Sequence, residues 1–170
     1  KSQKIIHSKS DNGFQSITWK PLLFWSRFPY SMLSRIIGTI GGEHAGPLVI
    51  ATAALHGNEP AGVHALEEAF RMLSAVEPSD FKGKFIGLIG NTEAYAKRSR
   101  FVKFDFNRIW TKDYLNKILL QDEATLHGED LELLRLFQVI HQEIISFQPD
   151  KILLLDLHTT SADGGIFCIP

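Results

Sequence analysis

The chain has 170 residues, 44% of them hydrophobic and 22% charged, and a formal net charge of −1. This is ordinary globular composition: it excludes a disordered chain and gives no field that would recruit nucleic acid or an anionic membrane, so any partner must be recognised locally. The single cysteine, Cys168, excludes an internal disulfide, and the absence of a basic-then-apolar leader points to a reducing, cytoplasmic setting.

Residues 1–34 start polar and run into an aromatic-rich arm, "WKPLLFWSRFPY", whose prolines and irregular spacing fit neither helix nor strand. From Arg35 the texture changes, and residues 35–170 read as one α/β domain. "RIIGTIGG" reads as a short strand and "PLVIATAAL" as a buried strand ending at His56. In "PAGVHALEEAFRML", Val63, Leu66, Phe70 and Leu73 recur at helical spacing, which predicts a helix beginning near Pro60. "KFIGLIG" is a third strand ending at Asn91, and the polar stretch from Asn91 to Trp110 has no clean period, which predicts a long loop. "EDLELLRLFQVIHQEIISF" carries Leu133, Leu136, Phe137, Ile140 and Ile144 on one helical face, and "KILLLDL" is a last strand with His158 at its end. The longest strongly apolar run, "ILLLDL", falls far short of the roughly 20 residues of a bilayer-spanning helix. Strands alternating with helices predict a mostly parallel sheet covered on both faces. The chain lacks an initiating Met and stops inside the strand-like run "GGIFCIP", so it reads as a piece cut from a longer protein.

H-x-x-E occurs twice, as His56 with Glu59 and as His64 with Glu67. The second pair lies within the predicted helix, where residues three apart share a face, and reads as a solvated pair. The first lies at a strand-to-helix turn. Pro60 suits the first helical position, which makes Glu59 either the helix N-cap or a ligand facing the crevice above the strand. The carboxyl ends of parallel strands are where α/β proteins bind ligands, and His158 ends its strand on that edge too. Two imidazoles and one carboxylate form a zinc ligand set with an open fourth position, and His56, Glu59 and His158 supply it. Asp156, two residues before His158 and on the same face of its strand, either orients that histidine or is a buried carboxylate satisfied by loop amides. In the predicted loop, Arg100, Asn107 and Arg108 offer planar donors that match carboxylates. Lys97, Arg98 and Lys103 read as a solvated face, and Asp105 weakens a nucleic-acid reading of the cluster.

"HGNEPAG", "GNTEAYAKRSRFVKFDFNR" and "LDLHTTS", in this order and spacing, resemble the succinylglutamate desuccinylase and aspartoacylase family over about Arg35 to Pro170. The resemblance implies a three-layer α/β/α fold of the zinc carboxypeptidase type, truncated here at its C-terminus, with a mostly parallel, mixed, twisted sheet. It further implies one Zn2+ per subunit held by His56, Glu59 and His158. Arg100 then assists the scissile carbonyl, and Asn107 and Arg108 meet the substrate. Phe101 stands where tyrosine is usual, and Phe106 where leucine is commoner. The family's general base is a later glutamate, and this chain has none after Glu143; residues 1–170 alone are therefore expected to be inactive. The expected substrate is a small N-acyl amino acid or acylated amine, with acyl group, amine and oligomeric state left open. Two other readings remain at this point: a metallocarboxypeptidase acting on peptides, and a non-catalytic zinc-binding module.

Overall fold

The computed structural model describes residues 35–77 and 80–159; the aromatic-rich arm and the "GGIFCIP" run, with Cys168, lie outside the described residues. Four strands, β1 (Ile36–Gly41), β2 (Leu48–Ala53), β3 (Lys84–Ile89) and β4 (Ile152–Leu157), form one sheet in the order β1-β3-β2-β4. Strand β2 runs parallel to both β3 and β4, whereas β1 is antiparallel to β3, so the sheet is mixed. Among the described residues, four α-helices accompany it: α1 (Ala61–Leu73), α2 (Thr92–Lys97), α3 (Lys112–Leu119) and α4 (Glu129–Phe147). Among the described residues, no helix is long and apolar enough to cross a membrane.

Strand β2 is buried along nearly its whole length, which explains why "LVIATA" shows no polar alternation. Leu48 and Ile50 pack with Ile86 and Leu88 of β3 and with Leu133, Leu136 and Val139 of α4. Ala51 and Ala53 pack instead with Val63 and Leu66 of α1. Alternate residues of a strand face opposite ways, so α1 and α4 cover opposite faces of β2. Helix α1 approaches closely because Phe70 lies over Gly38 and Gly87: a Cβ at Gly38 would stand 2.5 Å from Phe70 Cγ. Among the described residues, strand β4 is the sheet's other margin, and its Ile152, Leu153, Leu154 and Leu155 are exposed.

The predicted loop between Asn91 and Trp110 contains helix α2 and a single 3-10 turn at Phe106–Arg108. Both are too short to show a hydrophobic period; they rest on side-chain caps, with Asn91 accepting from the Ala94 N–H and Asp105 from the Asn107 N–H. Helix α3, capped by Thr111, was likewise not expected from periodicity. The N-terminus of α1 also departs from expectation. Pro60 itself is the N-cap, in helical geometry and without a side-chain cap, and the Glu59 carboxylate is turned away from the helix. In α4 the buried stripe includes two glutamates, Glu129 and Glu132, beside Leu133 and Leu136.

The Glu132 carboxylate accepts the Arg35 guanidinium at 2.6 Å and the Thr92 N–H and hydroxyl at 2.8 Å each. Arg35 also donates to the carbonyls of Ile89 and Gly90. A charge that is 1% exposed persists because it is paired and hydrogen-bonded in this way. The cluster ties α4 to the segment leaving β3, and so fixes where the chain heads next.

Candidate metal centre

Where β2 ends, the chain turns sharply. Ala54 adopts a φ of +54°, the Glu59 N–H donates to the His56 carbonyl at 3.0 Å, and Gly57 lies against the backbone of α2. A Cβ on Gly57 would fall 2.1 Å from the Ala94 carbonyl carbon, so only glycine fits there. The turn is thereby pressed under α2, and both of its ligand-type side chains are buried, His56 at 4% and Glu59 at 8% exposure. Parallel pairing of β2 with β4 aligns Thr52 with Asp156 and Ala53 with Leu157, so His158 leaves the sheet beside this turn.

Both histidines face Glu59. His56 Nδ1 lies 2.8 Å from Glu59 Oε1, and His158 Nδ1 lies 3.2 Å from Glu59 Oε2. The ring centroids are 5.0 Å apart, and one ligand atom from each of the three residues lies within 4.8 Å of the other two. Each outer nitrogen meets a carboxylate: His56 Nε2 is 2.9 Å from Asp105 Oδ1, and His158 Nε2 is 2.7 Å from Asp156 Oδ2. Asp156 is itself held by the Thr52 hydroxyl at 2.9 Å. A ring that donates Nε2–H to a carboxylate presents its Nδ1 lone pair inward, the tautomer a cation requires. The donor set of two imidazoles and a carboxylate suits zinc. By contrast, His64 and Glu67 form an exposed pair at 3.1 Å.

The site's charges reinforce one another. Burial pushes the Glu59 carboxyl up, but the Thr159 N–H and the two imidazoles outweigh it and hold the group below the usual carboxylate range. Asp105 is likewise raised by burial and, on balance, lowered by its bonds to His56 and the Asn107 N–H and by the Arg100 charge. The hydrogen bond to Asp156 leads in lifting His158 to about 9; burial opposes it, while the charges of Asp156 and Glu59 add to it. Without a cation, the His158 ring is therefore protonated at neutral pH.

Arg100 reaches the rim of this cluster, 3.7 Å from Glu59 Oε1 and 3.6 Å from Asp105 Oδ2, with its side chain about half exposed. Its backbone carbonyl accepts the Gly57 N–H at 3.2 Å, which ties the two segments together. Asn107 Nδ2 lies 3.2 Å from His158 Nε2. Arg108 is exposed on the same 3-10 turn, and its guanidinium has no ion-pair partner among the described residues. In the sequence Asp105 reads only as a counterweight to the basic cluster. What could have pointed to it is chemical: a buried ligand histidine needs an acceptor for its outer nitrogen, and Asp105 is the acid nearest to Asn107 in the chain.

The sequence pattern of the succinylglutamate desuccinylase/aspartoacylase catalytic domain matches residues 45–169, most of the chain. The chain belongs to this family. A succinylglutamate desuccinylase of Pseudomonas paraeruginosa is 35% identical over 71 residues, which is 42% of this chain and 21% of that protein. Solved succinylglutamate desuccinylases are similar in outline. The one from Chromobacterium violaceum has TM-score 0.49 and 17% identity over 69% of this chain and 34% of that one. The one from Vibrio parahaemolyticus has TM-score 0.46 and 16% identity over 70% and 32% respectively. The chain thus spans about a fifth to a third of these relatives. For members of the family, hydrolysis of an amide bond is the indicated chemistry.

Proposed function

We propose that residues 35–170 are the N-terminal part of a zinc-dependent amidohydrolase domain, three-layered α/β/α and carboxypeptidase-like, that cleaves the amide of a small N-acyl amino acid or similar acylated amine. One observation carries this reading: two histidines from separate strand ends present Nδ1 to the same buried glutamate, and each is held from behind by its own carboxylate. His56, Glu59 and His158 would hold one Zn2+ per subunit. When bound, zinc supplies Lewis acidity toward a carbonyl oxygen and lowers the pKa of a coordinated water to about 7.

The remaining roles belong to the chain's own side chains. Asp105 and Asp156 keep both imidazoles in the inward-facing tautomer and turn the rings toward one point. Arg100, a half-exposed guanidinium at the rim, would share negative charge that develops on the scissile oxygen. Asn107 and Arg108, side by side on an exposed turn, offer donors for a substrate carboxylate, as removal of succinyl groups from succinylglutamate by the named relatives would require.

The test combines metal analysis of the full-length protein with a panel of N-acyl amino acids and peptides. About one zinc per chain with turnover of acyl amino acids supports the reading; turnover of peptides alone, or bound zinc without hydrolysis, overturns it. In the active protein, Arg100→Ala is expected to lower kcat by about 10²- to 10³-fold, as loss of an oxyanion donor does. An unchanged kcat removes Arg100 from the mechanism.

A further inference from the structure

The segment from Ser99 to Trp110 carries Arg100, Asp105 and Asn107, yet apart from one 3-10 turn it has no regular structure to hold it. Its anchor is a carboxylate on another element. Glu129, in the first turn of α4 and 0% exposed, accepts the N–H groups of Val102 at 2.5 Å, Lys103 at 2.8 Å and Phe104 at 3.3 Å. It also accepts the Asn91 side-chain amide at 3.1 Å, and Asn91 in turn caps α2. Successive backbone N–H groups converging on one anion form a nest, an arrangement that fixes the backbone on both sides of it. A second brace adjoins the first. Gly128, at φ +59°, lies beneath the Lys103 stem, where a Cβ would come within 3.1 Å of Lys103 Cδ. No other carboxylate donated by an element outside this segment binds its backbone N–H groups among the described residues.

We infer that Glu129 is a positioning residue: through the Val102–Phe104 nest it sets Arg100, two residues before the nest, and Asp105, the residue after it, against the His56–Glu59–His158 cluster. Glu129 touches none of the three ligand-type residues, and its influence on them runs through Asp105 and Arg100. The inference rests on the amidohydrolase reading insofar as Asp105 and Arg100 belong to a metal site. A carboxylate is required. The amide of glutamine turns an N–H face toward backbone N–H donors and cannot accept from three of them at once.

The test uses the full-length protein and two independent readouts. In the unaltered protein, amide exchange at Val102 and Lys103 is expected to be slow for so polar a segment, and Glu129→Gln is expected to speed it about tenfold or more while Ile50 and Ile86 in the sheet are unaffected. Zinc affinity, measured by chelator competition, is expected to fall about tenfold in Glu129→Gln. The double variant with Asp105→Asn should lose less than the product of the two single effects, since both act through one contact. Glu129→Asp, which keeps the charge but draws it back, is expected to be intermediate and serves if the glutamine variant does not fold. Open-chain exchange at Val102 and Lys103 in the unaltered protein, unchanged zinc affinity in Glu129→Gln, or multiplicative losses with Asp105→Asn would overturn the inference. A wild-type protein that binds no zinc overturns the metal reading instead, and the exchange measurement then decides the role of Glu129.

Discussion

Replacing Asp156 with asparagine separates two effects that the wild-type site superimposes. The His158 ring stands at about 9, with the hydrogen bond to Asp156 as the leading cause. At pH 7, two units lower, a cation must expel a proton that is favoured about 100-fold, since each unit of pKa is a factor of ten. Apparent zinc affinity of the wild type should therefore rise about tenfold per pH unit and level off near 9, with about one proton released per zinc at neutral pH. Asparagine keeps the acceptor for the Thr52 hydroxyl, so the fold is expected to hold. It removes the charge, and the break should fall toward the ordinary histidine value of about 6.5. On the plateau, however, the variant should bind about 10- to 100-fold more weakly, because the group that pins and enriches the imidazole is gone. The two effects oppose at pH 7 and separate at pH 9. Chelator competition between pH 6 and 9.5, with calorimetry in two buffers to count protons, resolves them. A variant whose break stays at the wild-type pH would refute the assignment of the proton to the Asp156–His158 contact. In the metal-free protein the sign is the usual one for a raised imidazole. The stability this contact contributes is fully present below about 6.5 and is lost as pH rises through about 9.

Glu132→Ala strips the Arg35 guanidinium and the Thr92 N–H and hydroxyl of their acceptor. Breaking one side of a buried ion pair costs about 3–5 kcal/mol, visible as a lowered urea midpoint at unchanged slope. Gly57→Ala forces a methyl group into the Ala94 carbonyl carbon, and a loss of about 1–3 kcal/mol is expected together with weakened zinc binding, which calorimetry would register. His64→Ala removes the exposed look-alike pair and should leave zinc affinity unchanged and stability within about 0.5 kcal/mol; a larger effect on either would contradict its reading as solvated surface.

All four strands and both long helices were legible from periodicity and turn residues, because β2, α1 and α4 bury continuous apolar faces that a local pattern records. Of the candidate ligands, His56, Glu59 and His158 were marked by position: they stand where strands end. The capping alternative for Glu59 could be settled only by three-dimensional placement, since Pro60 permits either reading and the Thr159 N–H that holds the carboxylate comes from 100 residues away. Helix α2 was invisible because six residues span too few turns to show a stripe. The roles of Glu129 and Glu132 were hidden for a related reason. A charged residue inside an apolar stripe looks like noise until the donors it serves, which lie far off in the chain, fold onto it.

The pairing of β2 with β4 gives the site a property that neither strand has alone. Asp156 faces the same side of the sheet as Thr52, and His158 follows by two. A slip of a single residue would turn the whole tail of β4 over, carrying Asp156 away from Thr52 and His158 out of reach of Glu59. A divalent ion shared between the β2 turn and the β4 tail would thus act as a clasp that rewards one alignment of neighbouring strands and no other. Assembly of this half of the sheet and capture of the ion would then be two readings of a single equilibrium.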